Sequence, residues 1–446
     1  MALVADIASA ELHKDALAIR TVEDAASARA TVERLLRRTL TADAAVQVAL
    51  LNNRGLQAAY NELAIAEAAM VGSSLPPNPT FSISRISGAG AFEIERQITA
   101  DILALATLPV RSEIAGQRFR RAQLRAAEET LRIAAEVRRA YYRAVAAREL
   151  VGLLRQAKST AETTAQLAAK LGETGSLNKL DQAREQVFYA ETTAELATLN
   201  QEAATARERL VRLLGLWGRD LDLKLPDMLP PLPSRPLTLP AIEVDAIGRR
   251  VDLQMARIEL EALARSYELT QATRFINLLE VAGISRKTRE PEGQPFRQQG
   301  LSVQFQIPIF DFGAVKVREA EQTYMEAVNR LAEKAINVRS EARDIYRTYR
   351  SAYDIAGHYQ REILPLRKII SDETQLRFSA MLIDVFALLT EARQRIAALR
   401  AGIEAKRAFW LAKADLLTVV VGGGVAGESG RESRAAAGAR TNAAGN

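Results

Sequence analysis

The sequence predicts a mainly α protein with membrane β, built from two related halves that each carry very long helices and one β-hairpin. Three observations predict it. From Val110 to Leu171 apolar residues such as Leu124, Leu131, Ala135, Tyr142, Val145 and Leu154 recur at helical spacing with no proline. Near residues 80–109 and 275–309 the spacing changes to strict alternation. The order of the first half then recurs in the second.

Composition narrows the function classes. Of 446 residues, 48% are hydrophobic and 26% charged, which excludes both wholesale disorder and a wholly apolar inner-membrane body. The formal charge of +6 comes from 60 basic and 54 acidic residues mixed along the helices, and with only two Trp there is no basic stripe interleaved with aromatics for nucleic acid. Cysteine is absent and histidine occurs twice, so thiolate chemistry and the usual histidine metal clusters are excluded. No pocket of paired acids or nucleophile with its base is legible, so no enzyme, cofactor or resident metal is expected. No signal peptide is visible in residues 1–10, and the apolar run Leu416–Ala426 is too short for a helix across ~30 Å of hydrocarbon.

Residues 1–40 contain a helix ending near Leu40. Thr41 caps another, with Asp43 in its first turn, running to about Gly72. Pro76, Pro77 and Pro79 end it by denying three backbone donors. In the hairpin at about 80–109, Phe92, Ile94, Ile98, Ile102, Ala104 and Leu108 share one parity; Glu93, Glu95, Gln97, Thr99 and Asp101 take the other. A long helix over about 110–171 spans ~90 Å at 1.5 Å per residue. Gly172 to Ser176 reverse the chain, a return helix covers about 178–214, and a proline-rich linker covers 215–243. These elements make residues 41–214 a first repeat.

Residues 244–417 form the second repeat, with a hairpin at about 275–309 and helices at about 313–377 and 383–417; Pro365 is expected to bend the first. Residues 418–446 read as a flexible tail. The register is concrete: Gly55–Leu63 aligns with Asp252–Leu260, Pro109 with Pro308, and Ala183-Arg184 with Ala392-Arg393. Two hairpins give four strands, while the smallest bacterial membrane barrels use about eight, so sister copies must complete the barrel. Glu93, Glu95 and Asp101 must then line water or lie beyond the hydrocarbon.

Motifs in order carry a family resemblance: Ala49-Leu50-Leu51-Asn52-Asn53 with Leu56-Gln57, Leu75-Pro76-Pro77-Asn78-Pro79, Leu213-Leu214-Gly215-Leu216-Trp217-Gly218, Arg250-Val251-Asp252-Leu253 and Pro308-Ile309-Phe310-Asp311-Phe312-Gly313. The chain resembles the outer membrane factor family of TolC-like efflux proteins, in the branch associated with heavy-metal or drug resistance-nodulation-division pumps. The resemblance implies duplicated long-helix hairpins forming a trimeric α-barrel plus a shared 12-stranded transmembrane β-barrel. It makes residues 1–40 and 215–243 an equatorial layer. It implies a homotrimer in outer-membrane lipid with a long periplasmic extension, a periplasmic adaptor and an inner-membrane pump. It also implies a secreted, lipidated precursor whose signal and modified cysteine lie outside these residues. Asn52, Asn53 and Trp217 are expected to cap and pack that layer, and Phe310 and Phe312 to pack hairpin against helix, with Gly313 allowing the junction.

The implied inner end is formed by Gly172 to Ser176 and Phe378 to Asp384. Gly172, Gly175, Ser176, Ser379, Ala380 and Met381 are the expected adaptor contacts, being small or exposed turn residues. Three-fold symmetry turns an axis-facing acid into a ring. Asp384 is the first gate candidate, and Glu391, close to two helical turns later, is the second; Glu173 and Asp181 follow. Asp384 can equally be a helix cap. The expected function is passive conduction of exported metal ions or small molecules; the competing reading is a non-conducting periplasmic structural or adaptor protein.

Overall fold

The computed structural model describes residues 1–88, 91–175, 177–290 and 293–422. Its elements run α1 (Ala2–Leu12), α2 (Val22–Leu36), α3 (Ala42–Asn52), α4 (Arg54–Ser74), β1 (Thr80–Gly88), β2 (Ala91–Asp101), α5 (Ile102–Ala106), α6 (Leu108–Glu173) and α7 (Lys179–Leu214). After a 3-10 turn at Gly218–Leu221 come α8 (Ile242–Arg249), α9 (Val251–Ala272), β3 (Leu278–Arg289), β4 (Phe296–Gln306) and α10 (Ala314–His358). A π-helical turn at Tyr359–Ile363 leads into α11 (Leu364–Ser379), and α12 (Val385–Val421) follows. Contacts group these into two compact units, Met1–Ala59 with Ala127–Val251 and Asn337–Asn446, and Tyr60–Ala126 with Asp252–Ile336.

In the first unit, α6, α7 and α12 pack around Leu150, Val151, Leu154, Ala157 and Leu199, with Ile396 and Ile403 against them. Aromatic side chains continue this core. Trp410 stacks on Tyr142 with ring centres 5.1 Å apart, and Phe409 lies between Tyr349 and Tyr353 at 5.6 and 5.7 Å. The proline-rich linker has few backbone partners of its own, so these aromatics supply them. Trp410 Nε1 donates to the Pro230 carbonyl at 3.0 Å, Tyr353 donates to the Pro233 carbonyl at 3.1 Å, and the Leu237 N–H donates to the Tyr349 hydroxyl at 2.9 Å. Burial pushes the Tyr141 and Tyr142 hydroxyls up to about 12.

The second unit holds one antiparallel sheet in the order β1-β2-β3-β4. The hairpins pair with each other through β2 and β3, from Phe92 opposite Arg289 to Asp101 opposite Glu280. Register divides the sheet into two faces. Phe81, Ile83, Ile94, Ile98, Val281, Leu301, Val303 and Phe305 share one face; Glu93, Glu95, Gln97, Asp101, Glu280, Ser302 and Gln304 share the other. Among the described residues β1 and β4 are each paired along one edge only.

Several boundaries differ from the sequence reading. The first hairpin ends at Asp101, not near 109, because the Asp101 carboxylate accepts from the Ala104 N–H at 2.8 Å and starts α5. Ile102, Ala104 and Leu108 are therefore helical, and Pro109 lies in the first turn of α6, where its missing N–H costs nothing. The helix expected from 41 to 72 breaks at Asn53, whose Oδ1 caps α4 through the Leu56 N–H at 3.0 Å. The second hairpin occupies 278–306 in place of 275–309. Pro365 does interrupt the second long helix: the Leu364 N–H reaches Tyr359, five residues back, and a π turn absorbs the register change. Gly313 makes the junction after β4, with φ 73° and space for no Cβ, which would lie 2.3 Å from the Arg274 carbonyl oxygen. Trp217 and Phe310 do not pack as expected within one copy, being 79% and 98% exposed. Of the tail, 418–421 belong to α12, and 423–446 lie outside the described residues.

Candidate functional site

The first unit contains both helix turns singled out from sequence. At the α6–α7 turn the Gly175 N–H closes on the Gly172 carbonyl at 3.1 Å, with Gly175 at φ 69°. Asn178 then caps α7, accepting from the Asp181 N–H at 2.9 Å. At the α11–α12 turn the Met381 N–H closes on the Phe378 carbonyl and the Leu382 N–H on the Arg377 carbonyl, both at 2.9 Å. Met381 holds φ 59°, and three residues later Asp384 caps α12 by accepting from the Ala387 N–H at 2.8 Å.

The gate candidates fall into different environments. Glu173 is exposed at the end of α6. Asp181 is turned into its own helix start, holding Asn178 Nδ2 at 2.6 Å and Arg184 at 3.0 Å. Asp384 is exposed, and its carboxylate performs the cap. Glu391 is only 8% exposed and pairs with Arg367 of α11 at 3.3 Å. Asp384 and Glu391, close to two helical turns apart, thus differ in setting, the first exposed and the second buried against α11.

Among the adaptor candidates, Gly175 faces open space, and a Cβ on Gly172 would meet only the flexible end of Gln182. Ser379 Oγ donates back to the Gln375 carbonyl at 2.9 Å, and the Ala380 N–H donates to the Leu376 carbonyl. Met381 is 93% exposed, with Leu382 also exposed beside it. Ser176 lies outside the described residues.

Sequence reasoning missed Glu185. This acid in α7 is 3% exposed and accepts from Arg393 of α12 at 2.8 Å, while the Arg393 guanidinium sits 4.2 Å over the Phe188 ring. Glu185 Oε2 and Glu391 Oε1 are buried with no hydrogen bond among the described residues, so each acid is tied by one oxygen. The signal was present: Glu185, Thr192 and Leu199 are the buried stripe of α7 at a seven-residue interval. Following that stripe, and not residue type, would have placed Glu185 inside.

The polar face of the sheet in the second unit concentrates charge differently. All four strand acids, Glu93, Glu95, Asp101 and Glu280, lie on it, with Arg286 bridging Glu93 at 2.8 Å and Glu95 at 2.6 Å. No group of acids and histidines that could hold a metal ion occurs among the described residues, and no described helix is long and apolar enough to cross a membrane.

The described residues combine helices as long as α6, with 66 residues, and a two-faced sheet with open edges. The fold is shared with solved outer-membrane proteins. A crystal structure of CusC, described for folding and transmembrane channel formation, superposes with a TM-score of 0.70 at 19% identity, covering 86% of this chain and 92% of that one. The outer membrane protein VceC of Vibrio cholerae gives 0.67 at 14% identity, covering 89% and 97%. By sequence, the profile of the outer membrane efflux protein family matches residues 244–377. The cobalt-zinc-cadmium resistance protein CzcC of Cupriavidus metallidurans is 25% identical over 286 residues, which span 61% of this chain and 64% of that protein. The chain is thus similar to outer membrane efflux proteins over residues 244–377, and it shares the fold of solved outer-membrane proteins over most of its length.

Proposed function

We propose that three copies of this chain close a passive outer-membrane conduit for exported divalent metal cations, with energy supplied by an inner-membrane pump of the resistance-nodulation-division type through a periplasmic adaptor. One observation carries the reading: a four-stranded sheet with an apolar face, an acid-bearing polar face and two open edges. Unpaired backbone groups in hydrocarbon cost several kcal/mol each, so such a sheet is stable in a bilayer only when neighbouring copies pair with its edges. Three copies bring twelve strands. The apolar face then meets lipid, and Glu93, Glu95, Asp101 and Glu280 face the water-filled interior, where negative potential concentrates cations.

The cargo class rests on those acids together with the metal-resistance relative. In this reading the two helix turns meet the adaptor through Gly172, Gly175, Ser379, Ala380 and Met381. Asp384 and Glu173, the exposed acids there, are the gate residues, whereas Glu391 and Asp181 hold helices in place.

The test is detergent extraction from outer membranes, mass measurement and single-channel recording in planar bilayers. A trimer with cation-selective conductance is expected. A chain that is monomeric without detergent and forms no channels would refute the conduit and favour the non-conducting periplasmic reading. Trimers that conduct without preferring cations would remove the metal-cargo reading alone.

A further inference from the structure

The apolar face of the sheet changes character along its length. In the rows nearest the helices it carries Leu279 opposite Phe305, Val281 opposite Val303, and Phe81 opposite Ile98, with Leu301 in the same row. Toward the hairpin turns the same face carries Arg85, Arg96, Lys287, Arg289 and Arg297. No acid lies on this face within the strands; all four strand acids are on the other. No ion pair to any of the five basic residues is found among the described residues, whereas Arg286, the one basic strand residue on the polar face, is bound to two carboxylates.

Positive side chains beside a lipid-facing band can simply extend to water, and their cost falls steeply from the bilayer midplane to the interface. Extension to water accounts for long basic side chains in place of short acids. It does not explain why Lys287 and Arg297 occupy directly opposed positions on neighbouring strands, an arrangement that like charges disfavour unless an anion lies between them. Arg96 lies one row below this pair and Arg289 one row above, while Arg85 leans over the Phe92 ring at 5.8 Å. A headgroup with two phosphates matches such a cluster, since each phosphate accepts paired N–H donors from arginine and a single lipid can bridge two rows.

We infer that this basic collar binds a bisphosphorylated lipid headgroup of the outer leaflet, clamping the conduit at a fixed depth. The inference rests on the proposed barrel, which sets the apolar face toward lipid and the hairpin turns away from the periplasm. Shared phosphate chemistry leaves free phosphate as the other source of ligand, and the collar's place beside a lipid-facing band favours the lipid.

The experiment uses full-length trimers in mixed micelles of phosphatidylethanolamine with bisphosphoryl lipid A or with fully dephosphorylated lipid A. Lipid retained per trimer is counted after gel filtration at low and high salt, with inorganic phosphate as competitor. Wild type should retain the bisphosphorylated form over the dephosphorylated one on the order of ten-fold, less so at high salt. Combined Arg96→Gln, Lys287→Gln and Arg297→Gln should abolish that preference, and Arg286→Gln on the polar face should keep it. If the combined variant does not assemble, Lys287→Gln and Arg297→Gln alone should each lower retention several-fold, because both single changes relieve the opposed charges. Equal retention in wild type and collar variants, or displacement by inorganic phosphate at matched concentration, would overturn the inference. Conductance of the same trimers reports the conduit separately: conducting trimers that ignore lipid phosphate overturn the collar alone, and failure to form trimers overturns both.

Discussion

The α6–α7 and α11–α12 turns solve one backbone problem with different side chains. In each, a residue in the left-handed region closes the preceding helix, and a polar residue three positions later caps the next one at 2.9 or 2.8 Å. The first turn uses Gly175 and Asn178, which meet the geometry without steric cost and without charge. Its counterpart uses Met381 and Asp384. A side chain in the left-handed region costs roughly 1–2 kcal/mol, and Met381 is 93% exposed, so no packing within this copy repays it. That difference points to the second turn as the one shaped for contact with another molecule. The contrast extends to the return helices, where Arg184 and Arg393 correspond in the sequence repeat: Arg184 makes a surface pair with Asp181, and Arg393 reaches buried Glu185.

The largest expected effect tests this last contrast. Arg393→Ala leaves Glu185 buried and unpaired and should destabilise the chain by about 3 kcal/mol, at the low end for a broken buried pair because Arg393 itself is partly exposed. Arg184→Ala removes only a surface interaction and should cost under about 1 kcal/mol. Urea unfolding of the detergent-solubilised protein followed by circular dichroism compares them directly. Similar losses in both variants would mean that the two return helices are equivalent after all.

Exchanging the left-handed residues comes next. Gly175→Met should cost about 1–2 kcal/mol and Met381→Gly should recover a similar amount, partly offset by the flexibility glycine gives the unfolded chain. Adaptor affinity should move the other way, weakening in Met381→Gly despite the gain in stability. Should Met381→Gly leave adaptor binding unchanged while stabilising the turn, the exposed methionine has no contact role. A third comparison sets Asn178→Ala beside Asp384→Ala: each removes one helix cap and should cost about 1 kcal/mol by the same unfolding measurement.

Which of these features was legible beforehand depended on the scale of the signal. Long periodic helices and alternating strands are patterns over many residues, and both survive in the fold. Short capping interactions decided the boundaries that were misplaced. Asp101 looked like one more polar position of an alternating strand, yet its carboxylate turns the chain into α5. Asn53 caps as expected, but because it caps α4 it divides the helix read over 41–72, and it also donates to the Leu213 carbonyl at 2.8 Å, holding the α7 terminus. The burial of Glu391 and Glu185 was not legible for another reason: an acid reads as surface until its partner is known, and Arg367 and Arg393 lie on other helices. Trp217 and Phe310 show the converse, since apolar type implied packing that a single copy does not provide.

The smallest change in stability should accompany the most informative substitution. Asp384 combines a cap with a charge, and the first turn shows how to separate them, because Asn178 performs the same cap without charge. Asparagine and aspartate are comparable N-caps, so Asp384→Asn should leave unfolding within a few tenths of a kcal/mol of wild type. Any change in conduction then belongs to the charge. If three copies place Asp384 around the axis, the neutral variant should lower cation selectivity and reduce the response to divalent cations, most clearly at low salt, where screening is weakest. Asn178→Asp is the matching addition and should alter selectivity only if the first turn also faces the passage. Single-channel recordings over a salt series, with trimer content checked in parallel, measure both. Unchanged selectivity in Asp384→Asn would leave this acid a helix cap alone and move the search for the gate to Glu173, the other exposed acid at these turns.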